Sequence, residues 1–132
     1  MNIALVFLGG GLGALLRYFI GVKWMFTNIW TSTLVSNLIA ALAIGLLYTL
    51  QNQTKNLIPP SVWLFAAVGF CGGLSTFSTF SLEIFQWMQQ EKWMQCLVYI
   101  LLNVVLCTLL IFATFKWWEW NKCYCSPSNW SR

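Results

Sequence analysis

Between Gly69 and Ser81 the chain reads GFCGGLSTFSTFS, a Gly-Gly pair followed by five hydroxyl side chains set around Phe77 and Phe80. Hydroxyls donate and accept hydrogen bonds, and the edge of a phenyl ring is electropositive, so ring edges beside hydroxyl donors can coordinate a small anion. Phe77 and Phe80, three residues apart, share a helix face. A phenylalanine stripe alone is more often plain packing. The hydroxyls add a second constraint, because hydrocarbon offers them no partner: such groups persist at membrane depth only where they are buried in protein or line a polar cavity. The segment marks either a helix seam or a passage for something small and polar. Glu83, one turn past Phe80, reads as lying towards the mouth of such a passage.

The same choice recurs along the other apolar stretches. Gly9, Gly13, Arg17 and Gly21 recur every four residues, a spacing that lets a neighbouring backbone approach and turns Arg17 towards protein or water, unless it snorkels to the interface. Thr33, Asn37, Ala41 and Gly45 form a second such line. Asn37 is then either interhelical glue or a pathway amide, and Asn103 faces the same alternatives. Gly72-Gly73 favours a break in the third helix at that pair, freeing carbonyls that could hold a cation or meet a partner's equivalent break.

These residues must be positioned by membrane helices. The chain is 59% hydrophobic with 8% charged residues, against about 25% charged in ordinary soluble domains. Four stretches, about 3–20, 29–50, 62–82 and 93–115, each approach the ~20 residues a helix needs to cross the hydrocarbon core. The reading is an all-α membrane protein, a single transmembrane domain over 1–132 with a short polar tail at 119–132 and lipid around it. The first stretch reads as a retained helix, since no Lys or Arg precedes it. Trp24, Trp30, Trp63, Trp87, Trp93 and the Lys116 to Trp120 cluster fall at helix ends, as interfacial anchors do. The net charge of +4 fits flanking anchors, not a nucleic-acid footprint.

With no His or Asp, and Glu83, Glu91 and Glu119 as its acids, the chain is not expected to build a Ser-His-Asp triad, a carboxylate dyad or a histidine zinc site. It does not read as an enzyme. The five cysteines read as structural filler, Cys71, Cys96 and Cys107 within helices and Cys123-x-Cys125 in the tail.

At these residues the chain resembles the CrcB or Fluc fluoride channels. The likeness runs in order through GGGLGALLRY (9–18), TLVSNLIAALAIG (33–45) and GFCGGLSTFSTFS (69–81). It implies a dual-topology, antiparallel homodimer in the bacterial plasma or inner membrane, with two fluoride pathways and a structural Na⁺ at its centre. By motif, main-chain carbonyls of Gly72 and Ser75 would hold the Na⁺. Phe77 and Phe80 would be the pore rings, Asn37 the pore amide, Ser78 and Thr79 part of the polar track. Glu83 would lie near the vestibule, which Arg17 would make electropositive. The family more often has Thr where Ser75 stands. Its pore tyrosine has no clear counterpart, because Tyr99 is off by about two positions and Leu101 occupies the matching place. The implied role is passive export of fluoride that has entered acidified cells as HF. Two alternatives are a small four-helix drug exporter, which would need an acid in the membrane to exchange protons, and a non-transporting assembly subunit whose polar lines only pack.

Orientation follows from Lys and Arg near helix ends. If the loops alternate sides, Lys23 and Lys92 with Arg17 face Lys55, Lys116, Lys122 and Arg132, a weak bias. Reporters fused to the C-terminus should therefore be found on both sides of the membrane, and Lys residues added to one loop should force a single orientation; a tail confined to one side without such additions would contradict dual insertion.

Overall fold

The computed structural model describes residues 2–24, 29–53 and 58–125, all in helices and short connections with no strand among them. Four helices are long and apolar enough to cross a membrane, and the chain is a multi-pass membrane protein. The first is Asn2–Trp24, the second Ile29–Gln53, and the fourth Trp93–Cys125. The third span, Pro60–Gln89, is a composite of a leading half, 60–74, and a trailing half, Phe77–Gln89.

The fourth helix runs ten residues beyond the apolar stretch that defines it, through Lys116 and Glu119, which pair at 3.1 Å on the exposed surface. Trp117 and Trp120 are exposed there, as interfacial rings are. Residues 126–132 of the expected tail, and Lys55, lie outside the described residues. Trp30 and Trp87 differ from the anchor reading: both are half-buried against Tyr99.

Glycines set the closest packing. A Cβ at Gly9 would collide with the Phe65 carbonyl, one at Gly13 with the Phe70 carbonyl, and one at Gly73 with the Gly10 carbonyl. First helix and leading half therefore touch backbone to backbone, the small-residue packing available where lipid supplies no hydrophobic drive. Residues Leu64–Cys71 form a π-helix. Its i→i+5 turns put residues four and five apart on one face, which lines Phe65, Gly69, Phe70 and Gly73 along the first helix. Gly45 serves the second helix likewise, against Ile111 and Thr114 of the fourth.

The third span is interrupted at Ser75 and Thr76, not at Gly72-Gly73. Gly72 is helical (φ −66°, ψ −35°), while Ser75 (φ −73°, ψ 151°) and Thr76 (φ −147°, ψ 113°) are extended. Gly73 is spent on proximity to the first helix, whereas a Cβ at Gly72 would meet nothing within 4 Å. Extended backbone is open to any residue, so what fixes the interruption is side-chain bonding to Thr76.

Overpacking a well-packed contact costs ~1–3 kcal/mol, and here the obstacle is rigid backbone. Gly13→Val and Gly73→Val should lower thermal stability in detergent by at least that much, whereas Gly11→Ala and Gly21→Ala, with open space at the Cβ, should leave it unchanged or slightly raised. Equal tolerance at all four positions would contradict this packing.

Candidate functional site

Asn37 lies at the centre of the second helix and reaches both neighbours. Its Oδ1 accepts the Thr76 backbone N–H at 2.9 Å, and its Nδ2 donates to Asn103 Oδ1 on the fourth helix at 3.1 Å. Asn103 Nδ2 in turn donates to the Tyr99 carbonyl at 3.2 Å. Thr76 caps the trailing half: its Oγ1 accepts from the Thr79 N–H at 3.2 Å and donates to Thr79 Oγ1 at 3.0 Å, with Ser78 Oγ 3.3 Å away. A chain of amides and hydroxyls thus crosses three helices at the interruption.

These bonds have a consequence for two carbonyls. In a continuous helix the Thr76 N–H would bond the Gly72 carbonyl, and the Thr79 N–H the Ser75 carbonyl. Both donors are taken by side chains instead, Asn37 and Thr76 respectively. The Gly72 and Ser75 carbonyls are thereby released from the ladder, and hard oxygen ligands of this kind suit a small hard cation. Among the described residues no cluster of three or more His, Cys, Asp or Glu is placed to hold a metal ion.

Glu83 is turned into the protein. It is 6% exposed, with Oε1 accepting from Thr33 Oγ1 at 2.7 Å and Oε2 from the Tyr99 hydroxyl at 2.6 Å. The hydroxyls draw it inward because a carboxylate fully supplied with donors tolerates burial. Tyr99, 2% exposed, packs against Phe80 and Trp87 with ring centroids 5.2 Å apart in each case. Leu101, the position matched by motif, is exposed. Tyr99, not Leu101, therefore joins Asn103 in the cluster from the fourth helix; its signal in the sequence was the four-residue step to Asn103, which puts both on one face.

The remaining residues divide between two cavities. Asn37, Gly72, Ser75, Phe77, Phe80 and Asn103 line a groove of about 430 Å³, and Arg17 lines a second cavity of about 260 Å³ with Ser32, Thr33 and Thr79. Thr76 borders both. Phe77 and Phe80 are in ring contact at 5.8 Å but in opposite settings, Phe80 buried and Phe77 78% exposed. Ser78 is exposed and lines neither cavity; its one contact to the cluster is with Thr76.

The sequence profile of a family described as CrcB-like protein, Camphor Resistance (CrcB), matches residues 4–115. The chain belongs to the CrcB family. Relatives include proteins named fluoride-specific ion channel FluC. That of Pyrococcus horikoshii is 40% identical over 86% of this chain and 92% of its own. That of Serratia proteamaculans is 40% identical over 85% and 91%, and that of Marinobacter nauticus 42% identical over 87% and 94%. In this CrcB protein the matched region reaches all four spans and contains every residue of the cluster.

Hydrogen bonds to a charged group contribute ~1.5–3 kcal/mol each. Tyr99→Phe keeps the ring contacts and removes the donor to Glu83, so it should lower thermal stability by about that amount, as should Thr33→Val. In a Glu83→Ala background both losses should shrink towards zero; full, additive losses there would show that the hydroxyls stabilise through other contacts.

Proposed function

We propose that this CrcB protein is a fluoride-selective channel that conducts passively and lowers cytoplasmic fluoride, with Asn37, Thr76 and Asn103 at the centre of its pathway. The observation that carries the reading is the donor-rich interruption opening on a groove edged by Phe77 and Phe80. Fluoride is small and tightly hydrated, so a filter must replace its water with many donors and still release it. Amides, hydroxyls and ring edges supply donors without a buried ammonium to trap the ion. Asn37 Nδ2 and Asn103 Nδ2 each have a second N–H that no bond among the described residues uses. Arg17, Thr33 and Thr79 line the adjoining cavity and would gather anions before entry.

The groove is open along one side, with Phe77 exposed and nothing facing Gly72. A second, antiparallel copy of the chain closes it in this reading, and pairs the two interruptions. The released carbonyls of Gly72 and Ser75 would then hold a Na⁺ between the copies, supplying charge neutralisation at the dimer centre. Membrane lipid surrounds the exposed apolar faces.

A proton-coupled drug exporter requires an acid free to exchange protons. Glu83, the acid within the spans, is already supplied with donors on both oxygens. A merely structural subunit gives no reason for unused amide donors beside a groove.

Purified protein in liposomes should pass fluoride, largely exclude chloride and need no proton gradient; equal chloride flux or strict proton dependence would overturn the channel reading. Phe77→Ile is the sharper residue test, because it removes the electropositive edge at an exposed position where volume-conserving swaps cost less than ~1.5 kcal/mol. Efflux should be greatly slowed with thermal stability near the starting value. Phe80→Ile should slow efflux too, with some loss of stability from its contact with Tyr99. Fully active variants at both positions would remove the rings from the pathway.

A further inference from the structure

Two cavities outside the groove adjoin at the start of the fourth helix. The deeper one, of about 360 Å³, is walled by Trp30, Trp87 and Tyr99 with Val98 and Leu102. The shallower one, of about 330 Å³, is lined by Glu91, Lys92 and Trp93. Met94 and Gln95 line both, so an apolar compartment and a polar one meet at the first turn of the span.

Depth separates the two compartments. Glu91 and Lys92 fall in the connection between the third and fourth spans, whereas the residues from Met94 to Leu102 descend about 12 Å along the fourth. Met94 is 73% exposed and Val98 51% exposed, so the apolar compartment opens sideways, where lipid lies. An elongated apolar chain running along the helix fits it. The indole N–H groups of Trp30 and Trp87 and the side-chain amide of Gln95 make no hydrogen bond among the described residues. Indole N–H groups in half-buried settings generally find an acceptor, and ester oxygens just below a headgroup are acceptors at that level.

The polar compartment carries one charge of each sign. Lys92 Nζ donates to Gln90 Oε1 at 2.7 Å, while the Glu91 carboxylate has no hydrogen bond or ion pair among the described residues. An acid and a base that are neighbours without pairing match a headgroup holding both signs, its phosphate towards Lys92 and its ammonium towards Glu91. A primary ammonium suits the carboxylate better than a trimethylammonium, because it brings N–H donors.

We propose that these two compartments form one binding site for a diacyl phospholipid with a phosphoethanolamine head, seated with the head at Glu91 and Lys92 and one acyl chain along Trp87, Val98 and Leu102. The lipid bridges the second helix, the third span and the fourth helix, which supply Trp30, Trp87 and Met94 respectively. The site stands on the membrane setting and does not depend on which ion the protein conducts.

The test strips the full chain of lipid in a non-ionic detergent and titrates it with dioleoyl phosphatidylethanolamine, phosphatidylglycerol and phosphatidylcholine in turn, counting bound lipid per chain by native mass spectrometry. One phosphatidylethanolamine per chain should bind, about two- to fivefold tighter than either other lipid, the range expected for one exposed charge pair. Glu91→Gln should erase that margin, and Lys92→Gln should weaken all three lipids by a similar factor. Val98→Trp, which fills the apolar compartment from an exposed position, should weaken all three about tenfold. Because Glu91 is on the exposed connection, the lipid-free melting temperature of Glu91→Gln should equal that of the starting protein, so a lost margin there is not a lost fold. Equal binding of the three lipids would overturn the headgroup assignment. No bound lipid, or binding indifferent to Val98→Trp, would overturn the site. Free phosphoethanolamine should not displace the lipid; displacement would put the affinity in the polar compartment alone and overturn the apolar seat.

Discussion

The bond from the Thr76 N–H to Asn37 Oδ1 holds the arrangement together. A membrane helix keeps its backbone bonded internally because lipid offers no alternative, so an interruption survives only if something in the protein takes over the freed groups. Asn37 does that for Thr76, and the Thr76 hydroxyl does it for Thr79. One amide on the second helix therefore lets the third span break, and the break in turn releases carbonyls on one side and presents hydroxyls on the other. The remaining half of the same amide reaches Asn103, so the second, third and fourth helices are registered through one side chain.

Around that bond the packing is of two kinds. First helix and leading half meet through glycine and backbone, with no room for any side chain between them. This gives a rigid contact whose register is set by sterics. The trailing half is held differently, through Glu83, Thr33 and Tyr99 and a group of rings, Phe80, Trp87 and Trp30, against Tyr99. A buried carboxylate with both oxygens supplied is high in stakes: complete, it fixes the trailing half, and with a donor missing it leaves a charged group without compensation. The groove and the Arg17 cavity lie on the two sides of the interruption these contacts hold open.

The sequence by itself determined the membrane setting, the number of spans and the identity of most polar residues that converge. Those follow from composition, apolar length and four-residue spacing, which are local properties. Asn37, Phe80 and Thr79 were legible for that reason. Tyr99 was within reach, since its step to Asn103 is a helical one, but motif register pointed to Leu101.

What only the tertiary structure decided depends on contacts between distant segments. The interruption moved to Ser75 and Thr76 because the partner of the Thr76 N–H is 39 residues away, while of the Gly-Gly pair that suggests a flexible break locally Gly72 stays helical and Gly73 packs against the first helix. Glu83 went inward because its donors sit 50 residues before it and 16 after it. The π-helix and the gathering of Trp30, Trp87 and Tyr99 around one cavity are likewise invisible to spacing along one helix, because which face is shared is fixed only when the helices pack.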